Sequence, residues 1–86
     1  MDTILSSITI AMLRLVEDQL SNNEVSSDQE LLDFFVGSGL TEIQARQALR
    51  YRSLYTRHIY LDGFTPILRG DEAIRYNPVS RKFEPV

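Results

Sequence analysis

Two helix-start signatures on either side of a glycine turn constrain this chain more than any other feature. Ser27 stands three residues before Glu30, and Thr41 stands three residues before Gln44. Each pair has the form of a capping box, in which a hydroxyl and a longer side chain satisfy each other's free backbone amides. Asp28 and Glu30 place negative charge in the first turn, where the helix dipole favours it. Between the boxes run Leu31, Leu32, Phe34, Phe35 and Val36, then Gly37-Ser38-Gly39. The apolar run supplies a face to bury, and glycine tolerates the left-handed backbone common at helix ends. Leu40 and Ala45 occupy the staple positions around the second box. The spacing predicts helix 27–36, a tight turn, and helix 41–58.

The flanking segments follow different periods. Ile4, Leu5, Ile8, Ala11, Met12, Leu15, Val16 and Leu20 recur at three- and four-residue steps, which predicts helix 3–21. Leu5, Ile8, Met12 and Leu15 also fit an a/d pattern, though over less than three heptads. That face is either core or the seam of a homodimer. After residue 60 the helical period stops and all three prolines appear. Pro66 to Arg69, Ala73 to Tyr76 and Arg81 to Glu84 are short runs of strand formers, separated by Gly70-Asp71 and Asn77-Pro78-Val79-Ser80. The last two runs predict a β-hairpin within region 66–85. Leu, Ile, Val and Phe make 27 of the 86 residues, which is enough for a folded chain. The expected architecture is one domain over 1–86, mainly α with a C-terminal β-hairpin. So small a domain has little room for a large enclosed active site.

The net charge of -3 hides an uneven distribution. Residues 1–42 carry a net of -7, with Arg14 their one base, whereas residues 43–86 carry a net of +4. Such asymmetry points either to a polyanionic partner for the basic half or to two halves that pair with each other. At about 100° per residue, Arg46, Arg50, Ser53 and Arg57 fall on one stripe of helix 41–58. Ala45, Ala48, Leu49, Tyr55 and Ile59 lie broadly opposite, while Ile43 and Leu54 sit close to the stripe. Arginine at these positions suits phosphate oxygens or the guanine edge. The same stripe is also what a solvated face presents, and Glu42 and Arg46 are spaced as a helical ion pair. Arg75, Arg81 and Lys82 flank the hairpin turn, either to reach a phosphate backbone or to guard a strand edge.

The order helix, helix, glycine turn, helix, hairpin resembles the winged helix-turn-helix superfamily. The likeness rests on Gly39-Leu40-Thr41, Gln44-Ala45-Arg46 and Leu49, and on the hairpin of residues 73–84. Small bacterial winged-helix regulators carry similar Thr-x-x-Gln-Ala-Arg-x-x-Leu strings at the start of the recognition helix. The likeness covers most of the chain in layout but only about ten residues in motif. Two features depart from the pattern. Phe35 stands four positions before the turn glycine, where many such helices have a small residue, and residues 60–72 exceed a minimal link to the wing. The resemblance implies three helices plus a wing and a DNA-binding regulator. Thr41, Gln44, Arg46, Gln47, Arg50 and Arg57 would face the major groove, with Arg75, Arg81 and Lys82 on the backbone. It equally admits a protein-interaction module of the same fold, an adaptor or inhibitor of a larger complex. In that reading Tyr51, Tyr55, Tyr60 and Tyr76 are anchors; otherwise their rings fill the core.

The composition argues against other classes. There is no cysteine and one histidine, which excludes a disulfide scaffold and a Cys/His zinc site. His58 follows Arg57 at a helix end and has no nucleophile or acid in a catalytic spacing; neither an enzyme nor a cofactor is expected. Met1-Asp2-Thr3 carries no positive charge, and the apolar stretch Ile4 to Leu13 is broken by serines and a threonine. It falls well short of the roughly 20 residues of a membrane span, so a cytoplasmic protein without membrane contact is expected.

Overall fold

Both capping boxes form. The Ser27 hydroxyl accepts from the Glu30 amide at 3.1 Å, and Glu30 Oε1 accepts from the Ser27 amide at 2.9 Å. Thr41 and Gln44 repeat the exchange at 3.1 and 3.0 Å. In the computed structural model, which describes residues 1–86, these boxes open helices α2 (Asp28–Ser38) and α3 (Glu42–Leu49). Helix α2 runs through Gly37 and stops at Gly39, whose φ of +124° disfavours any residue with a side chain. The Leu40 amide then donates back to the Phe35 carbonyl at 3.1 Å. Leu40 and Phe35 are both buried, so the turn is closed by backbone and by side chains together. Phe35, which departs from the small-residue pattern, is among the largest fully buried side chains.

The first helix, α1, spans Ile10–Asn22 rather than 3–21. Two local polar contacts compete with helix before residue 10. Asp2 Oδ1 accepts from the amides of Ile4 and Leu5 at 2.9 and 3.0 Å, and Thr9 caps the Met12 amide at 3.1 Å. The preceding turn still delivers Leu5 to the core. Along α1 the buried residues are Leu13, Val16 and Leu20; Val16 and Leu20 belong to the expected apolar face, Leu13 does not, and Met12 and Leu15 of the a/d line are half-buried. Ile8 and Met12 pack against the core from its margin.

The expected helix 41–58 is two helices, α3 and α4 (Arg52–Arg57). At the link, the amides of Arg50 and Tyr51 bond to carbonyls three residues back, Gln47 and Ala48, at 3.2 and 3.0 Å. Packing explains the break: α3 lies on α2 whereas α4 lies on α1. Two deeply placed side chains hold the second half. Tyr55 is 3% exposed; its hydroxyl donates to Glu17 of α1 and accepts from the Ile67 amide at 3.4 Å. Arg52 donates to Asp28 at 2.7 Å and to the carbonyls of Asn23 and Ser26 at 2.9 and 2.5 Å.

Residues 66–69, read above as a strand former, make one helical turn, α5 (Pro66–Arg69), followed by a 3₁₀ turn over Gly70–Glu72. Thr65 caps the turn, and proline at its first position lacks a donor that would be unpaired there anyway. The hairpin joins β1 (Ile74–Asn77) to β2 (Lys82–Pro85), antiparallel, with Arg75 opposite Glu84 and Asn77 opposite Lys82. Its loop is residues 78–81, one position later than the sequence suggests, and Arg81 takes a φ of +58°. On the other side of β1, Tyr60 bridges to Arg75, with Ile59 and Leu61 bonded to β1 at 2.7 and 2.8 Å. The chain is thus mainly helical with a C-terminal two-stranded hairpin, and no helix is long and apolar enough to cross a membrane.

Arg52→Ala removes the donors from two loop carbonyls and from Asp28. Urea denaturation should show a loss of about 2 kcal/mol. A loss below about 0.5 kcal/mol would mean that water replaces the guanidinium without cost.

Candidate nucleic-acid interface

The residues expected to read DNA at the start of α3 are engaged within the fold. Thr41 and Gln44 cap the helix, and Gln44 Nε2 also donates to Ser7 at 3.1 Å. Gln47 Nε2 donates to Asp2 at 2.7 Å, and the Tyr51 hydroxyl donates to the same oxygen at 2.6 Å. Asp2 therefore takes four donors, two from its own turn and two from Gln47 and Tyr51. Its burial alone would raise its pKa. The hydrogen bonds from Tyr51, Gln47 and the Leu5 and Ile4 amides outweigh that and hold it below the ordinary carboxylate value. Burial, then the Asp2 hydrogen bond and charge, push the Tyr51 hydroxyl up to about 12. No local spacing signals this contact, because its ends lie 45 and 49 residues apart.

The arginine stripe is divided. Arg46 is exposed and donates to Glu42 at 3.1 and 2.6 Å. Arg50 is exposed and makes no side-chain hydrogen bond. Arg50 and Tyr51 form a turn between α3 and α4, so Ser53 and Arg57 stand on a different helix from Arg46. Arg57 donates to the Ser53 carbonyl at 3.2 Å and meets no carboxylate. Arg52, left out of the expected site, is largely covered and serves the fold. Its ion-pair partner Asp28 is 24 residues away, beyond any helical spacing.

At the other end, Arg57 and His58 border a groove of about 550 Å³ against the hairpin. Arg75, Tyr76, Asn77 and Glu84 form its far wall. Arg75 Nη1 lies 3.3 Å from His58 Nε2. Burial and then the charges of Arg75 and Arg57 lower the His58 pKa, so the ring is neutral near pH 7 and accepts the arginine N–H. Glu84 sits directly across from Arg75, yet its two oxygens take Ser80 at 2.6 Å and Asn77 at 3.2 Å. Those hydrogen bonds, from Ser80 first and then Asn77, hold Glu84 below the usual carboxylate range. Arg81 and Lys82 are exposed at the hairpin turn with no side-chain partner. The structure thus brings Arg57 and Arg75 together around His58, a residue the sequence marks only as a helix end.

Of the four tyrosines only Tyr55 is buried; Tyr51, Tyr60 and Tyr76 are half-buried. Tyr55 is core, Tyr51 holds Asp2, Tyr60 packs against Tyr55 and His58, and Tyr76 meets Phe83 edge-on at 5.4 Å.

A group whose folded pKa is lowered stabilises the fold above its unfolded value and loses that contribution as pH falls through the folded one. Asp2→Asn should therefore be less stable than wild type at about pH 7, with the gap closing towards about pH 3. Urea midpoints at the two pH values check this; a constant gap would mean that the Asp2 charge is irrelevant.

Set against known proteins, the chain matches no family model, no curated protein and no solved structure, so its own geometry carries the functional argument.

Proposed function

We propose that the protein is a small regulatory protein that binds duplex DNA through its basic C-terminal half. The observation that carries this reading is charge left uncompensated after folding. Apart from Arg46 and Arg52, no base after residue 42 lies within 4.0 Å of a carboxylate. Pairing between the acidic and basic halves amounts to Arg52 with Asp28 and the local Glu42–Arg46 contact. Arg50, Arg57, Arg75, Arg81 and Lys82 are then available to phosphates, the strongest sequence-independent partners of arginine and lysine.

The α2–turn–α3 unit with its hairpin supports a winged-helix-like arrangement, in which α3 enters the major groove and the hairpin lies on the backbone. With Gln44 and Gln47 bonded elsewhere, base readout is weak and phosphate contact dominates. A homodimer through α1, whose Ile10 is exposed, doubles the footprint. Ile43, 70% exposed on α3, favours a second reading as a protein-interaction module.

Fluorescence anisotropy with mixed-sequence duplex between about 50 and 200 mM salt tests the proposal. Binding should weaken steeply with salt, and Arg46→Glu with Arg50→Glu, both exposed, should abolish it while circular dichroism stays unchanged. Absence of binding at about 50 mM salt overturns it in favour of the second reading.

A further inference from the structure

We infer that the groove between the end of α4 and the hairpin seats one phosphate group, held by Arg57, His58 and Arg75, with the DNA backbone as its source. The choice of source rests on the DNA-binding reading; the seat itself rests on geometry. Two guanidinium groups border one groove and neither has a carboxylate within 4.0 Å. Arg75 has a carboxylate directly across the hairpin, but Glu84 gives both oxygens to Ser80 and Asn77. Arg75 is left with the neutral imidazole of His58 at 3.3 Å. A phosphate oxygen is a stronger acceptor for an arginine than an uncharged ring nitrogen. Arg57 spends one N–H on the Ser53 carbonyl and keeps the rest of its fork free.

Seating an anion here also changes His58. Its neighbours are Arg57 on its own strand of chain, Arg75 and Glu84 across the groove, and the Tyr60 ring. On its other side a second groove is lined by Glu17, Asp18 and Asp62, with the Tyr55 hydroxyl. The arginines oppose a charged ring and the carboxylates favour one. A bound phosphate adds negative charge on the arginine side. His58 then takes a proton from solvent, releases the Arg75 N–H and donates through Nε2 to the phosphate. Binding should therefore tighten as pH falls from about 8 to about 5.5.

The chain has a single histidine, so its ring resonances report this site alone. The test follows them by NMR during titration with sodium sulfate, a tetrahedral anion whose charge is constant in this range, and with a short mixed-sequence duplex. Both probes should shift the ring signals and raise the His58 pKa, and Arg75→Gln should remove the shift. Arg57→Gln, exposed and bonded only to its own helix, provides a second variant independent of the hairpin. In duplex titrations Arg57→Gln with Arg75→Gln should lower the slope of log K against log salt by about 1 to 2.

If the duplex binds but His58 stays still and the slope is unchanged, the phosphate seat is overturned and the DNA-binding reading stands. If sulfate shifts His58 but the duplex does not bind, the seat is supported, while DNA as its source falls together with the DNA-binding reading. A phosphoserine peptide that displaces sulfate where the duplex cannot would likewise overturn DNA as the source. No shift with either probe overturns the inference outright.

Discussion

Tyr55 ties the molecule together. Its ring is buried on α4 against Tyr60, and its hydroxyl joins Glu17 on α1 to the first turn of α5. Burial, reinforced by the Glu17 carboxylate, raises its pKa far above the ordinary tyrosine value and keeps the hydroxyl a donor. Three segments distant in sequence thus converge on one polar atom inside a small core. In a chain of this size the apolar core is small, and a buried polar contact between elements adds to what packing supplies. Removing either partner would leave a buried polar group unsatisfied, which is costlier than the bond is favourable.

Two further polar clamps follow the same logic. Arg52 fastens α4 to the loop that joins α1 and α2. Asp2 fastens the N-terminal turn to the end of α3 through Gln47 and Tyr51. Both recruit residues that resemble surface residues in the sequence. Their effect on the candidate site is large. The clamps consume Gln47, Tyr51 and Arg52, and the bases without carboxylate partners extend from α3 and the end of α4 to the hairpin. The basic surface is therefore displaced from the start of the expected recognition helix towards the groove around His58.

Much of the fold was legible where the cause is local. Ser27 with Glu30, and Thr41 with Gln44, act over three residues, and both boxes form as the spacing demands. The hairpin was legible to within one residue for the same reason. Other segments misled. The start of α1 was misplaced because Thr9 caps a helix that begins at Ile10, six residues after the apolar pattern does. Residues 66–69 contain strand formers, yet Thr65 and Pro66 begin a helical turn that buries Ile67. The stripe through Arg46, Arg50, Ser53 and Arg57 assumed one unbroken helix, and the link at Arg50 and Tyr51 divides it.

By itself the sequence determined the helix starts, the glycine stop, the hairpin and the separation of charge into an acidic and a basic half. Each depends on neighbours within a few residues or on composition, so no knowledge of the fold is needed. Only the tertiary structure decided that α3 and α4 part company, because each packs on a different helix. It also decided which cations remain uncompensated. Arg52 finds Asp28 across 24 positions, whereas Arg75 loses its cross-strand carboxylate to Ser80 and Asn77 and turns to His58. Side-chain competition of this kind is settled by distance in space, which residue spacing does not encode.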